Sequence, residues 1–278
     1  MTSPPARYTL FSVKTVLTIA GSDCSGGAGI QADIKTILAN GAYAMSAITA
    51  MTAQNTLGVT AVQSSTTQFL AQQLDAVFTD IPPDAVKIGM VFSSDLANVI
   101  GERLRRYNAR NVVIDPVMVA SSGAKLLQPQ AVDTLKKELF PLARIITPNL
   151  PEAEALLLKE IPDKTAMEAT AKQLSDTFGC AVLLKGGHRS IDADDVLYEQ
   201  KQFYWFKSEH ISTNNTHGTG CTLSSAIAVF LAEGCNLPTA VQRAKDYVTG
   251  ALKANLCLGH GCGPIEHGWN IRKNLSNS

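Results

Sequence analysis

The chain has 278 residues, of which 45% are apolar, and its 24 Lys and Arg residues balance its 24 Asp and Glu residues. This composition supports a sizeable hydrophobic core, and the lack of net charge gives no electrostatic support for binding nucleic acid or an anionic membrane. The length allows one large α/β domain or two small ones.

The N-terminal residues and the cysteines bear on where the protein works. Residues 1–14 contain two prolines but no continuous apolar stretch, so we interpret them as a loose extension rather than a signal peptide. The longest uncharged stretch, residues 36–74, is interrupted by Asn, Gln and Gly residues, whereas a membrane span needs about 20 mostly apolar residues. Six cysteines without a secretory signal indicate free thiols in a reducing compartment. We therefore expect a cytoplasmic protein that does not enter a membrane.

Short apolar runs alternate with helical patterns along most of the chain. Strands are predicted at residues 16–20, 43–49, 85–88, 112–115, 144–147 and 180–185. Helices are predicted at residues 28–40 and 166–178, around residues 96–104, and after residue 221. This alternation is typical of parallel βαβ units, so we predict one central sheet covered by helices on both faces. A single domain over residues 15–278 is the simpler interpretation.

Two segments carry more detailed predictions. The first helix has Ile30, Ile34, Ile37 and Leu38 on its predicted apolar face, and Gly41 follows as its C-cap. Residues 196–206 alternate around a Gln-Lys pair, which predicts an antiparallel hairpin at a sheet edge.

Polar and glycine residues follow the predicted strands one after another. They are Gly21–Asp23, Gln54–Asn55, Gly89–Met90, Asp115–Pro116, Asn149 with Glu152, and Lys185–Gly187. Ligands of open α/β sheets bind outside the carboxyl ends of the strands. This recurrence therefore predicts a binding site at that edge of the sheet.

Three of these segments have a structural and a functional interpretation. The glycine-rich residues 21–29 form either a binding loop or only a tight turn, and they lack the Gly-Lys-Ser/Thr ending of a P-loop. Asn149 is a candidate N-cap, and Glu152 is either a first-turn carboxylate or a group that holds Mg²⁺ through water. Lys185 either reaches solvent or meets nucleotide phosphates.

Residues 216–221, Thr-His-Gly-Thr-Gly-Cys, lead into a helix whose apolar stripe is Leu223, Ala226, Ile227, Phe230 and Leu231. Backbone amides gathered at a glycine-rich helix N-terminus favour an anion. Cys221 is either a small buried residue or a base, because a helix N-terminus lowers the pKa of a thiol and a thiolate accepts a proton from an alcohol. An anion site with a base inside it predicts phosphoryl transfer.

Cys257, His260, Cys262 and His267 raise the alternative of a zinc site. Their C-x2-H-x-C-x4-H spacing differs from the usual structural-zinc patterns, in which CxxC pairs dominate. A glycine-rich loop near the nucleotide is the preferred interpretation.

Seven of these segments together resemble the hydroxymethylpyrimidine/phosphomethylpyrimidine kinases of thiamine biosynthesis, in the ribokinase-like superfamily. The segments are LTIAGSDCSGGAGIQADIKT (17–36), TAQNTLGV (52–59), KIGM (87–90), VIDPVM (113–118), ITPNLPEA (146–153), LLKGGH (183–188) and NTHGTGCTLS (215–224). The likeness covers residues 16–267, nearly the whole chain.

The resemblance implies a three-layer α/β/α sandwich with a lid-like edge element and a homodimer, as relatives often form. It implies ATP and Mg²⁺ as cofactors, and transfer of phosphate to the aminopyrimidine and then to its monophosphate. Positions that match the pyrimidine pocket are Gly21, Asp33, Gln54, Met90 and Val117. Asn149 and Glu152 match the Mg²⁺–phosphate motif, Lys185 the nucleotide side, Gly218, Thr219 and Gly220 the anion hole, and Cys221 the catalytic base.

Two departures from the family pattern leave alternatives open. Cys24 stands where many relatives carry proline, and Ala120 stands where relatives that also phosphorylate pyridoxal can carry a cysteine. The absence of that cysteine weakens, without excluding, a vitamin B6 kinase or a dual pyrimidine/B6 kinase, which is the alternative activity. A non-catalytic pyrimidine-binding module is the alternative from outside the enzymes.

Overall fold

A computed structural model describes residues 13–118, 129–187, 193–208 and 210–276. The strands are β1 (Thr15–Asp23), β2 (Tyr43–Asn55), β3 (Gly58–Ser64), β4 (Ala85–Ile88), β5 (Val112–Ile114), β6 (Ile145–Ile146), β7 (Ala181–Leu184), β8 (Asp195–Glu199) and β9 (Gln202–Phe206). The helices are α1 (Gly29–Ala39), α2 (Thr67–Asp80), α3 (Ser94–Arg106), α4 (Pro129–Thr134), α5 (Leu150–Leu157), α6 (Lys164–Phe178), α7 (Thr219–Ala232), α8 (Leu237–Lys253) and α9 (Trp269–Ser276). A π-helical turn, Leu135–Leu139, and a 3₁₀ turn, Phe140–Leu142, continue α4.

The described strands form one sheet in the order β3-β2-β1-β4-β5-β6-β7-β8-β9. Strands β2, β1, β4, β5, β6 and β7 pair in parallel, whereas β3 at one edge and the β8–β9 hairpin at the other are antiparallel. The predicted mostly parallel sheet and its antiparallel edge hairpin are thus confirmed. Because these strands run in the same direction, their carboxyl ends all lie at one edge of the sheet.

Local sequence signals explain where several helices begin and end. The Thr66, Ser93 and Asp163 side chains accept hydrogen bonds from the first-turn amides of α2, α3 and α6. Gly41 follows α1 with a φ of 84°, in the left-handed conformation expected just beyond a helix. These caps determine the residues at which these helices begin or end.

Alternation along the strands divides the core into two apolar layers. In β1, Leu17 and Ile19 face a layer formed with α2, α3, α5 and α6, while Val16 faces the layer formed with α1, α7 and α8. Helix α7 is buried on all sides from Thr222 to Ala232, because the sheet lies on one side of it and α8 on the other. The predicted one-sided stripe on α7 therefore understates its burial.

One expectation is wrong, and another falls mainly outside the described residues. Leu38, predicted on the apolar face of α1, is 65% exposed, and the buried face contains Asp33 and Thr36. The spacing of apolar residues cannot predict a buried helix face that includes polar residues. Of the N-terminal extension, Val13 and Lys14 are described, and the Lys14 carbonyl accepts a hydrogen bond from the Tyr43 amide. Strand β3 and helices α2, α4, α8 and α9 are not among the predicted elements.

Adjacent residues of α1 offer a matched test of this burial. Ile37 is fully buried, whereas Leu38 is 65% exposed. We expect Ile37→Ala to lower the free energy of unfolding by about 2–5 kcal/mol and Leu38→Ala to change it by less than about 0.5 kcal/mol. Urea unfolding of both variants measures the difference. Equal losses would contradict the orientation of α1.

Candidate active site

A cleft of about 780 Å³ lies at the carboxyl ends of the strands. A volume of this size is typical of a small-molecule site. The predicted site residues that line it are Gly21, Gln54, Met90, Val117, Asn149, Glu152, Lys185, Gly218, Thr219, Gly220 and Cys221. The strand-end pattern in the sequence therefore identified the position of the cleft.

One end of the cleft is formed by the carboxyl ends of β1, β2 and β4. Gly21 leaves room for Met90, since a Cβ at Gly21 would lie 3.0 Å from the Met90 Sδ. The Gln54 amide accepts a hydrogen bond from the Thr52 hydroxyl at 3.1 Å, and its Nε2 lies 3.4 Å from the His217 Nε2. These contacts hold a planar amide at the cleft wall, where it can both donate and accept hydrogen bonds.

The turn before α7 exposes backbone amides to the cleft. Gly218 has a φ of 84°, and a Cβ there would lie 1.9 Å from the Gly27 carbonyl oxygen, so only glycine fits. The Thr219 amide and hydroxyl both donate to the Thr216 carbonyl. Among the described residues, the Gly218, Gly220 and Cys221 amides have no acceptor. The free amides at this helix N-terminus are therefore those of Gly218, Gly220 and Cys221, whereas the Thr219 amide is already engaged.

Asp23 joins this turn to the glycine-rich loop after β1. Its carboxylate accepts hydrogen bonds from the Ser25, Gly27 and Ala28 amides and lies 2.8 Å from the His217 Nε2. Burial would raise the pKa of Asp23, but these hydrogen bonds outweigh it and lower the pKa to about 2. Residues 21–29 thus form a tight turn that also lines the cleft, so both interpretations of this segment apply. The motifs that contain Asp23 and His217 did not indicate this contact between them.

Lys185 is neither solvated nor free. Its ammonium lies 2.8 Å from the Asp115 Oδ1, and the Thr147 hydroxyl donates to the same oxygen. Burial alone would lower the pKa of Lys185, but Asp115 and Glu152 raise it, so the ammonium stays charged. A Cβ at Gly220 would lie 3.4 Å from the Lys185 Nζ. This positive charge therefore lies beside the free amides of α7.

Glu152 and Asn149 form a reciprocal cap at the start of α5. The Asn149 amide donates to the Glu152 Oε2 at 2.8 Å, and the Glu152 amide donates to the Asn149 Oδ1 at 2.9 Å. Burial raises the pKa of Glu152 to about 7, with Asp115 adding to the rise and Lys185 opposing it. The buried carboxyl groups of Glu152 and Asp115 thus share the single ammonium of Lys185. Their negative charge is only partly neutralised, and their oxygen atoms suit a hard cation.

Cys221 differs from the sequence-based expectation. Burial raises the pKa of its thiol to about 11, while Lys87 and a hydrogen bond from the Gly29 amide act in the opposite direction. The expected lowering of this pKa is therefore wrong, because removing a thiolate from water raises the pKa by more than Lys87 and the Gly29 amide lower it.

Asp33 is the one predicted site residue that does not line the cleft. Its carboxylate is fully buried and lies 2.8 Å from the Lys87 ammonium, and it accepts hydrogen bonds from Thr18 and Ser225. Both oxygens are engaged behind the cleft wall. This corrects the expectation that Asp33 contacts the pyrimidine.

The remaining sequence observations have separate outcomes. No cluster of three His, Cys, Asp or Glu residues suited to a metal is present in the described part of the chain, so the zinc alternative gains no support. The loop carrying Cys257 and Cys262 lies against the β2–β3 turn, where two of its amides donate to the Thr56 hydroxyl. Ala120 and His188 lie outside the described residues. No described helix combines the length and apolar character of a membrane span.

Comparison with known proteins adds independent information. A model of the phosphomethylpyrimidine kinase family matches residues 23–266. The thiamine biosynthesis bifunctional protein ThiED of Geobacter sulfurreducens is 50% identical, over 94% of this chain and 54% of that protein. The hydroxymethylpyrimidine/phosphomethylpyrimidine kinase of Escherichia coli is 48% identical, over 90% of this chain and 96% of that protein.

A solved structure gives the same fold. The ADP complex of Bacillus subtilis pyridoxal kinase superimposes with a TM-score of 0.86 and 36% identity, over 94% of this chain and 99% of that chain. The chain thus spans about half of the bifunctional relative and nearly all of the other two proteins.

Proposed function

The chain belongs to the phosphomethylpyrimidine kinase family, and on this basis we propose how its cleft performs the reaction. It is a kinase of thiamine biosynthesis that transfers phosphate from ATP to 4-amino-5-hydroxymethyl-2-methylpyrimidine and then to the monophosphate. The observation that carries this assignment is the extent of identity, 48% across 96% of the Escherichia coli kinase. One domain, residues 15–278, contains the whole site.

A vitamin B6 kinase is the less favoured activity. The pyridoxal kinase structure has 36% identity to this chain, compared with 48% and 50% for the thiamine-pathway relatives. Its similar fold does not decide the substrate, because one fold hosts several activities.

The pyrimidine occupies the end of the cleft near Gln54. The Gln54 amide can pair with a ring nitrogen and the neighbouring exocyclic amine, which present an acceptor and a donor side by side. Gly21, Met90 and Val117 supply the apolar walls against which the ring lies. This placement directs the hydroxymethyl group toward the N-terminus of α7.

The phosphoryl group lies against the free amides of Gly220 and Cys221, beside the Lys185 ammonium. Phosphoryl transfer depends mainly on positioning and on neutralising charge. Backbone amides at a helix N-terminus provide both without a change in protonation. Cys221 accepts the alcohol proton as a thiolate, so that its raised pKa limits the active fraction near neutral pH.

Mg²⁺ fits the acidic end of the cleft, where Glu152 and Asn149 would hold it through water. The Asn149 and Met118 amides both donate to the Glu152 carboxylate, which keeps further lone pairs for the hydrated ion. When bound, the ion supplies positive charge to the phosphates. Asn149 contributes mainly by fixing the carboxylate, since its own oxygen accepts from the Glu152 amide.

The protein is further proposed to be a cytoplasmic homodimer. Its six cysteines are all free, which suits a reducing compartment, and cell fractionation tests this location. The outer edge of β3 is unpaired in the described sheet, and the β2–β3 hairpin exposes Met51, Leu57 and Val62. Apolar side chains beside an open strand edge favour association with a second copy.

A phosphate-transfer assay tests the activity. With ATP and Mg²⁺, we expect the aminopyrimidine and its monophosphate to be phosphorylated, and pyridoxal and pyridoxine to react far more slowly. Efficient turnover of pyridoxal without turnover of the pyrimidine would contradict the proposed substrate, and pyrimidine binding without any turnover would indicate a non-catalytic module.

Glu152→Gln tests the Mg²⁺ site. The variant should keep the cap but need more Mg²⁺ for half-maximal rate, because one negative charge is lost.

Cys221→Ser tests the proton acceptor. We expect kcat to fall by roughly 10²–10⁴, the usual scale of general-base catalysis, with KM for the pyrimidine little changed. In the unsubstituted enzyme kcat should also rise between pH 7 and 9, because the thiolate fraction increases toward the thiol pKa of about 11. An unchanged kcat in the serine variant would remove Cys221 from this role.

Sedimentation velocity tests the dimer. The chain has a mass of 29.6 kDa, so a dimer has about twice that mass. Leu57→Lys should shift the protein toward the monomer, whereas Leu38→Lys should not, although the two leucines are 68% and 65% exposed. A monomeric unsubstituted protein at micromolar concentration would contradict the proposal.

A further inference from the structure

Lys87 is buried behind the cleft, and it has no role in the proposed reaction. It is the third residue of β4, and its side chain has no exposure to solvent. Apolar neighbours in the strand, Val86 and Ile88, face the opposite core layer. A lysine in the middle of a sheet is costly to bury and needs a compensating charge.

Asp33 supplies that charge and holds the ammonium in place. Both carboxylate oxygens lie 2.8 Å from the Lys87 Nζ. Thr18 and Ser225 donate to the two oxygens at 2.5 and 2.8 Å, so the carboxylate is fixed from β1 and from α7. A Cβ at Gly89 would lie 2.7 Å from the Nζ, so the missing side chain makes room for the ammonium.

Helix α7 places Cys221 on the same side as this ion pair. Ser225 lies four residues after Cys221, and residues with this spacing share one face of a helix. Since Ser225 bonds to Asp33, that face of α7 is turned toward the pair. The charged groups around the Cys221 thiol are then Lys87 from β4, Asp33 from α1, and Asp115 after β5 with its partner Lys185.

We propose that Lys87 is a positioning residue for proton transfer, whose fixed ammonium stabilises Cys221 when it carries negative charge. The inference rests on the proposed role of Cys221. Each carboxylate nearby disfavours the thiolate. Lys87, although it is paired with Asp33, is held on the side of α7 that carries Cys221 and Ser225, so its ammonium offsets the charge on sulfur. Consistent with this, Lys87 lowers the pKa of the thiol, and burial, acting alone, would raise it further.

A double-mutant cycle distinguishes this role from a purely structural one. In the unsubstituted background, Lys87→Met should lower kcat by about tenfold or more, the effect of one pKa unit, with KM for the pyrimidine little changed. In the Cys221→Ser background the same change should lower kcat less than about threefold, because no thiolate remains to be stabilised. Equal losses in both backgrounds would overturn the proposal. No loss from Cys221→Ser itself would instead overturn the proposed base.

Thiol alkylation provides a readout that does not depend on turnover. Between pH 7 and 9, iodoacetamide modification of Cys221, followed by peptide mass spectrometry, should slow about tenfold or more in Lys87→Met. Cys235, beyond the far end of α7, is the internal reference and should be unaffected. A Cys221 rate equal to that of the unsubstituted protein would overturn the proposal.

Two further variants control for folding and for burial of charge. Lys87→Met combined with Asp33→Asn removes the whole pair and keeps a hydrogen-bonding side chain, so it covers the case in which Lys87→Met does not fold. Its alkylation should also slow, although less, because Asp33 itself opposes the thiolate. Lys245→Met removes another buried ammonium, which lies 2.5 Å from the Asp195 Oδ2, and should leave Cys221 alkylation unchanged. Equal slowing in Lys245→Met would contradict a specific effect of Lys87.

Discussion

The buried carboxylate of Asp23 accepts hydrogen bonds from five donors in two distant segments of the chain. Four belong to Ser25, Gly27 and Ala28 in its own loop, and the fifth is the His217 ring from the turn before α7. Close contact between the two turns requires glycine at Gly27 and Gly218, where a Cβ would meet His217 or the opposite backbone. The orientation of the free amides at α7, and with it the proposed anion site, depends on this junction.

Charge in the cleft is balanced locally, in pairs. Asp115 is paired with Lys185 and Asp33 with Lys87, and each pair is buried. The two cleft groups whose charge is poorly compensated are Glu152 and Cys221, and burial raises the pKa of both. Such groups gain most from a bound cation or a nearby ammonium, because the buried site screens charge weakly.

The sequence predicted the succession of strands and helices along the chain better than it predicted how deeply individual side chains are buried. The parallel strands, the edge hairpin and the residues at the strand ends follow from alternation and from the topology of α/β sheets. Burial of Asp33, exposure of Leu38 and the raised pKa of Cys221 do not follow, because each depends on what packs against the residue from another element. Likewise Lys87 sits in a four-residue motif whose pattern does not reveal its partner on α1.

The reciprocal cap at α5 links the architecture of a helix to the chemistry of a ligand. One carboxylate oxygen of Glu152 accepts a hydrogen bond from the Asn149 amide, which would otherwise lack an acceptor. The same side chain is the group proposed to hold hydrated Mg²⁺. This position therefore carries two requirements: shortening the side chain to aspartate would alter the helix start, and neutralising it would weaken the proposed cation binding. One side chain thereby serves both the folding of α5 and the proposed handling of the nucleotide.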